Sequence, residues 1–383
     1  MIVRVSFLKQ ISDQLRIHTV CGLLGPRQCG KSTLAREYAK HCGQPIHFFD
    51  LENPEDLEAL QNPLRTLEGL SGLIIIDEIQ RLPNLFPILR VLADKKQAKY
   101  LILGSASRDL IKQSSETLAG RIGYIELTPF SMSEGCQEST LLLRGGFPEA
   151  YLALSDQDSA QWKKAYIRTF LERDIPALGF RVPPLLLQRF WMMLSHYHGQ
   201  LLNMEQISKS LSISGHTVRH YLDILAGTFM VRILPPWFEN TSKRQTKTPK
   251  MYIRDSGLMN TLSRIEKEED MITHPLKGAI WEGFALEELI RHLNLAPEES
   301  FFWRTHNGAE IDLLVFKNGK KYGFEFKFAD TPKITKSIRI AHQNLNLDHA
   351  YVIYPGQRKI ALDDDITGVG LSQFIEQGYL TST

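Results

Sequence analysis

The chain has 383 residues, 43% hydrophobic and 23% charged, which excludes wholesale disorder and, at about 100–200 residues per domain, predicts two or three domains. Lys+Arg 45 against Asp+Glu 43 gives a formal net charge of +2, so no global field draws the chain to nucleic acid or membrane, and any such partner must be held by a local patch. Apolar runs such as 73–76 fall far short of the about 20 residues a spanning helix needs, residues 1–15 lack a signal-peptide pattern, and the four cysteines (Cys21, Cys29, Cys42, Cys136) form no CxxC pair, so a cytoplasmic protein without a membrane partner is expected.

In chain order, the apolar runs 19–24, 46–50, 73–77, 98–103 and 122–127 alternate with helix-length stretches such as 32–40 and 85–93. That alternation predicts an α/β core with a parallel sheet over 1–130. Residues 131–198 read as a helical lid or connector punctuated by Gly145-Gly146-Phe147-Pro148. A helical unit with a β-like tail follows over 199–254, then a connector over 255–275 with an acidic run at 266–270, and a last α/β segment over 276–383.

The first chemical signal is Gly25-Pro26-Arg27-Gln28-Cys29-Gly30-Lys31-Ser32, a G-x4-G-K-S run placed between a strand and a helix that continues with Thr33. Glycines let the backbone curl so that its N–H groups and the helix N-terminus face an anion. Lys31 is expected to reach the β- and γ-phosphates of ATP or ADP, and the Ser32 hydroxyl to sit on Mg²⁺. The strand 73–76 ends in Asp77-Glu78, and ligands of parallel sheets sit at the carboxyl ends of strands. Asp77 therefore suits the Mg²⁺ shell and Glu78 the polarisation of an attacking water. The strand 100–103 ends in Gly104-Ser105, and Ser105 is the candidate sensor of the γ-phosphate or water. Thr117-Leu118-Ala119-Gly120-Arg121 leads into the strand 122–127. This pattern resembles the AAA+ superfamily, and the resemblance implies that Arg121 is an arginine finger supplied to a neighbouring subunit of a homo-oligomer; the alternative is a structural arginine paired with a nearby acid.

Residues 204–211 read as a short helix, 212–215 as a turn with Ser214 as N-cap, and 216–226 as a second helix with Val218, Leu222 and Leu225 on one face. The runs 229–234 and 251–253 make two strands of a wing, joined by a stretch carrying Lys243, Arg244, Lys247, Lys250 and Arg254. Together they predict a winged helix-turn-helix. It either contacts nucleic-acid phosphates through Lys243, Arg244 and Lys247, with Arg219 near a groove, or packs against protein.

The last segment holds Asn318-Gly319 between two apolar runs, the signal of a two-residue type I′ hairpin. The turn sets Asp312 opposite Glu325 and Glu310 opposite Lys327, all on one face, with Ile311, Leu313, Val315, Phe324, Phe326 and Phe328 on the other. Two facing carboxylates repel unless a cation lies between them. Asp312…Glu325-x-Lys327 resembles the PD-(D/E)xK nuclease fold, which implies a second divalent-metal site at Glu282, Asp312 and Glu325, with Lys327 beside the water. Glu282 lies in register with Leu286, Leu289 and Leu293 on the helix 279–293, whereas Glu287 and Glu288 are expected to be solvated.

The order of an AAA+ P-loop core, Gly145-Gly146-Phe147-Pro148, Arg173-Asp174-Ile175, a winged helix and a nuclease-like tail resembles one prokaryotic ATPase family over essentially the whole chain. Phe147 stands where that family has tyrosine. The resemblance implies a Mg²⁺-dependent ATPase coupled to a nucleic-acid-binding or nuclease-like region, or a signalling-type nucleotide switch whose nuclease-like domain is an inactive platform for protein binding.

Overall fold

A computed structural model of the chain describes residues 2–105, 118–238 and 247–381. It divides into two compact units, Met1–Pro129 with Gly227–Phe229, and Phe130–Ala226 with Met230–Thr383. In the first, the strands β1 (Val20–Leu24), β2 (Ile46–Asp50), β3 (Gly72–Asp77), β4 (Ala98–Gly104) and β5 (Ile122–Glu126) form a parallel sheet in the order β2-β3-β4-β1-β5. Continuous apolar runs such as Leu73-Ile74-Ile75-Ile76 form its centre because both faces are covered, and all four side chains are buried. The covering helices include Val5–Ile17, which turns Ile11 and Leu15 inward, Lys31–His41 and Leu85–Lys95. Each such Leu or Ile contributes roughly 1.5–3 kcal/mol through burial. The strand order sets the carboxyl ends of β1, β3 and β4 side by side, and the phosphate-loop sequence follows β1 directly.

The second unit begins with helices that include Glu138–Arg144, Asp156–Thr169 and Pro184–Ser195, with a π-helical turn at Phe170–Asp174. Gly145-Gly146-Phe147-Pro148 wraps the carboxylate of Asp255. A Cβ on Gly145 would lie 2.2 Å from Asp255 Oδ1, the Gly146 N–H donates to Oδ2 at 2.8 Å, and Phe147 is buried against Tyr166 at 4.7 Å between ring centroids. Where a connector was expected over 255–275, the same Asp255 caps a helix, Ser256–Leu262, by accepting from the Leu258 N–H at 2.9 Å. Leu258 and Met259 of that helix belong to the apolar core. A second short helix, Glu268–Thr273, follows.

The helices Met204–Leu211 and Gly215–Gly227 flank a turn in which the Ser214 hydroxyl accepts from the Thr217 N–H at 3.0 Å. β7 (Val231–Leu234) and β8 (Lys250–Ile253) pair antiparallel, and β6 (Gln200–Leu201) pairs with the other edge of β8. Lys243 and Arg244 lie outside the described residues.

The last sheet runs β13-β14-β12-β11-β10-β9, with β9 (Ser300–Arg304), β10 (Glu310–Lys317), β11 (Lys320–Phe326), β12 (His349–Tyr354), β13 (Lys359–Asp363) and β14 (Ile366–Gly370). Asn318 at φ 54° and Gly319 at φ 74° both occupy the left-handed region, as a type I′ turn requires. The hairpin pairs Leu313 with Phe324 and Lys317 with Lys320 in the expected register. It ends at Phe326, so Phe328, expected in the core, is 47% exposed. Glu310 pairs with Arg304 of β9 rather than with Lys327. Glu287 and Glu288 are not solvated. Their helix, Lys277–His292, is buried on all sides in its second half, and both carboxylates are at most 2% exposed. Arg232, Arg254 and Arg291 surround Glu287, while Glu288 accepts from Arg291 and from the Met132 N–H. Burial alone would raise the Glu287 carboxyl, but the three guanidinium groups outweigh it and hold it at about 2.

Candidate functional site

The loop after β1 is shaped by close packing and by two left-handed residues. A Cβ on Gly25 would lie 2.2 Å from the Leu127 carbonyl oxygen, so only glycine fits where β1 exits. Gln28 has φ 60° and Gly30 φ 98°, and the helix begins at Lys31. Cys29 is fully buried beneath the loop with its thiol 3.4 Å from the Leu127 carbonyl oxygen, and burial pushes that thiol up, so it is a packing residue. Pro26 is buried and Thr33 is exposed on the first turn of the helix. Arg4, which the sequence did not single out, fixes the loop from below: its guanidinium donates to the carbonyls of Cys29 at 3.3 Å and Thr128 at 2.9 Å.

Lys31 is 5% exposed and its ammonium group donates to the Gly25 and Pro26 carbonyls at 3.0 and 2.9 Å and meets the Ser105 hydroxyl at 3.3 Å. The Ser32 hydroxyl donates to Asp77 Oδ2 at 2.5 Å, and Asp77 Oδ1 accepts from the Glu78 N–H at 2.9 Å. Burial raises the Asp77 carboxyl above its ordinary value and the Glu78 charge adds to this, against the hydrogen bond from Ser32 and the charge of Lys31. A hydroxyl and a carboxylate oxygen side by side at a helix N-terminus are the hard donor set that Mg²⁺ prefers, so these residues fit that ion.

Glu78 stands in the left-handed region at φ 55° and ψ 45°, a conformation that costs a non-glycine residue about 1 kcal/mol or more and concentrates at functional sites. Its carboxylate accepts from Ser105 Oγ at 3.1 Å and from the Gln80 amide, and Arg27 lies 4.0 Å away while bonding Glu52 at 2.5 Å. Gln80 and Glu52 carry no motif, and their contribution was not legible in the sequence. The ends of β1, β3 and β4 thus bring Lys31, Ser32, Asp77, Glu78 and Ser105 into one hydrogen-bonded set. Arg121 is not in it. Its guanidinium holds Asp94 through Nε at 2.6 Å and Nη2 at 3.1 Å, on the surface of its own unit.

In the second unit, the acids expected to share a metal are divided. Glu325 accepts from the Thr335 hydroxyl at 2.7 Å and pairs with Lys327 at 2.9 Å. Glu282, Glu310 and Asp312 converge instead on the ammonium group of Lys250, which is 3% exposed. Among the described residues, no group of three or more His, Cys, Asp or Glu is arranged to hold a metal ion. The expected metal set of Glu282, Asp312 and Glu325 is not brought together in this structure: Glu282 and Asp312 face the Lys250 ammonium, and Glu325 faces Thr335 and Lys327. Burial and the neighbouring Asp312 raise the Glu282 carboxyl, whereas burial would lower the Lys250 ammonium but the surrounding acids raise it well above its ordinary value.

Comparison with known proteins places three family models along the chain: an AAA domain over residues 18–136, a domain of unknown function (DUF8612) over 137–269 and another (DUF4143) over 277–374. The uncharacterized proteins Rv2008c of Mycobacterium tuberculosis and Mb2031c of Mycobacterium bovis are each 46% identical over 360 residues, covering 93% of this chain and 81% of theirs. Among solved structures, the Walker-type ATPase of Pyrococcus abyssi is 16% identical with a TM-score of 0.49, covering 69% of this chain and 96% of its own. The RuvB Holliday junction branch migration motor of Thermotoga maritima is 17% identical with a TM-score of 0.31, covering 61% and 90%. The loop, the parallel sheet and the first family model agree: the amino-terminal domain is a P-loop AAA ATPase domain. Among the described residues no helix is long and apolar enough to cross a membrane.

Proposed function

Since the chain belongs to the family of these mycobacterial proteins, an AAA domain followed by two domains of unknown function, we propose that it is a Mg²⁺-dependent ATPase whose nucleotide state controls a nucleic-acid-binding or nuclease-like carboxyl-terminal region. The observation that carries the ATPase reading is the single network Lys31–Ser105–Glu78 and Ser32–Asp77 at the ends of three adjacent strands. The backbone N–H groups of the loop and the helix N-terminus bind phosphate oxygens, and Lys31 exchanges the Gly25 and Pro26 carbonyls for them. Ser32 and Asp77 hold Mg²⁺, which neutralises charge on the phosphates. Glu78 orients the attacking water and takes its proton, and Ser105 fixes the Glu78 carboxylate. Arg121 serves a neighbouring subunit by exchanging Asp94 for a γ-phosphate.

The test is isothermal calorimetry. The intact chain gives a saturable heat with ATP and ADP, and Lys31→Ala loses it, by at least about tenfold in affinity for a removed charge-assisted contact. No heat with either nucleotide from folded protein refutes the reading.

The helix pair with the sheet of β6, β7 and β8 supports a winged helix-turn-helix, and the carboxylates of β10 and β11 support a nuclease-like domain. Lys247, with Lys243 and Arg244, supplies the basic contact to phosphates. One observation favours a second reading, a nucleotide switch whose nuclease-like domain is an inactive protein-binding platform: the Lys250 ammonium lies among the acids that a nuclease gives to metal.

A further inference from the structure

We propose that Lys250 is the resident cation of the carboxyl-terminal acid cluster, and that its ammonium group keeps divalent metal out of it. The inference rests on the nuclease-like reading of β10 and β11 and adds a control to it. Lys250 is the first residue of β8, in a different sheet from Glu310 and Asp312 of β10, and Glu282 comes from the helix Lys277–His292. Its ammonium has three N–H donors and finds three acceptors: Asp312 Oδ1 at 3.1 Å, Glu282 Oε1 at 3.4 Å and Glu310 Oε1. The match leaves no donor unsatisfied in a side chain that is 3% exposed.

Further donors meet the same acids. Asp312 Oδ2 accepts from the Phe326 N–H at 3.0 Å, Glu282 Oε1 also accepts from the Tyr252 hydroxyl at 2.8 Å, and Arg304 lies 3.2 Å from Glu310 Oε2. Glu325 is engaged by Thr335 and Lys327. A dication and a buried ammonium cannot share one set of carboxylate oxygens, because like charges a few ångströms apart away from water repel strongly. Occupation by Lys250 and by metal therefore exclude one another.

The experiment measures Mn²⁺ binding to the full chain without nucleotide, by electron paramagnetic resonance, so that binding at Ser32 and Asp77 is common to every variant. The wild type and Asp312→Asn give the same isotherm. Lys250→Met gains one Mn²⁺ per chain, and Lys250→Met with Asp312→Asn loses it again. A wild-type Mn²⁺ site that disappears with Asp312→Asn, or a folded Lys250→Met with no added site, overturns the proposal. If Lys250→Met does not fold in chelator while Lys250→Arg does, refolding decides: recovery by Mn²⁺ supports the exchange, and failure to recover overturns it. Lys250→Met that binds Mn²⁺ yet cuts neither DNA nor RNA upholds the lock while removing the nuclease reading, so the two fail separately.

Discussion

Replacing Glu78 by Gln isolates proton transfer from every other role of the site. Gln keeps the length and planarity of the side chain and an oxygen that can accept from Ser105 Oγ, which lies 3.1 Å from the carboxylate, so the left-handed turn at φ 55° is preserved. What is lost is the negative charge and the ability to take a proton from water. A positioned general base contributes about 10²–10⁴ in rate, which at about 1.36 kcal/mol per tenfold is about 3–5 kcal/mol of barrier. The ground state moves the other way. The Glu78 charge is one of the causes that push the Asp77 carboxyl up, so neutralising it leaves Asp77 more readily ionised as a metal ligand and does not weaken nucleotide binding. The expected result is an ATP affinity within about twofold of wild type and a single-turnover phosphate-release rate at least about 100-fold lower. Calorimetry supplies the first number and rapid-quench phosphate release the second. Turnover within about threefold of wild type removes Glu78 from the role of base.

Two further outcomes follow from the same structure. Arg121→Ala leaves ATP binding intact and lowers turnover by about 10³-fold, the scale of an arginine finger, with the wild-type rate rising with protein concentration; a change no larger than that of Asp94→Asn shows instead that the pair is a surface link. His198 is buried and burial lowers its imidazole from 6.5 to about 4, while its Nδ1 accepts from the Ile253 N–H at 3.0 Å. The unfolded state therefore binds the extra proton between those two values, and the stability contributed by the neutral ring is full above pH 6.5 and is lost as pH falls toward 4, by about 3 kcal/mol. Denaturant titrations of wild type and His198→Asn at pH 7 and pH 4 should show the gap between them closing by that amount, and a gap independent of pH refutes the assignment.

What was legible in the sequence is what rests on neighbours along the chain. Gly25 and Gly30 announce a loop because their backbone demands are local, and Asn318-Gly319 fixes the hairpin register because both residues tolerate positive φ. The strand ends at Asp77 and Ser105 could be placed beside the loop because a parallel sheet aligns its carboxyl ends. Errors arise where a residue's fate depends on something distant. Glu287 and Glu288 read as solvated because one helix shows only its own stripe, whereas their cover includes Arg232 and Arg254 from another sheet and its edge. Lys327 was paired with Glu310 on the assumption that the hairpin ran one residue further than Phe326. Gly145-Gly146-Phe147-Pro148 carried a family resemblance without a reason, which Asp255, more than a hundred residues later, provides.

The two carboxylate sets of this chain show why a motif of acids does not by itself specify a metal. At the phosphate loop, Asp77 is hydrogen-bonded by a hydroxyl and a backbone N–H, neutral donors, and the charge of Lys31 acts on it without a direct ion pair. At β10, Glu282, Glu310 and Asp312 are met by Lys250 and Arg304, so most of their charge is balanced from within. The difference lies in what faces the acids. In the first case that was readable, because Ser32 belongs to the motif; in the second it was hidden, because Lys250 lies 62 residues from Asp312 in a stretch whose other cations suggested a solvated basic loop. Three carboxylates held by one buried ammonium also imply that substituting the lysine alone is costlier than removing the set, since an uncompensated buried charge typically costs 3–5 kcal/mol. The acids and Lys250 therefore act as one unit, and only a cation of comparable or greater charge can take the lysine's place without that penalty.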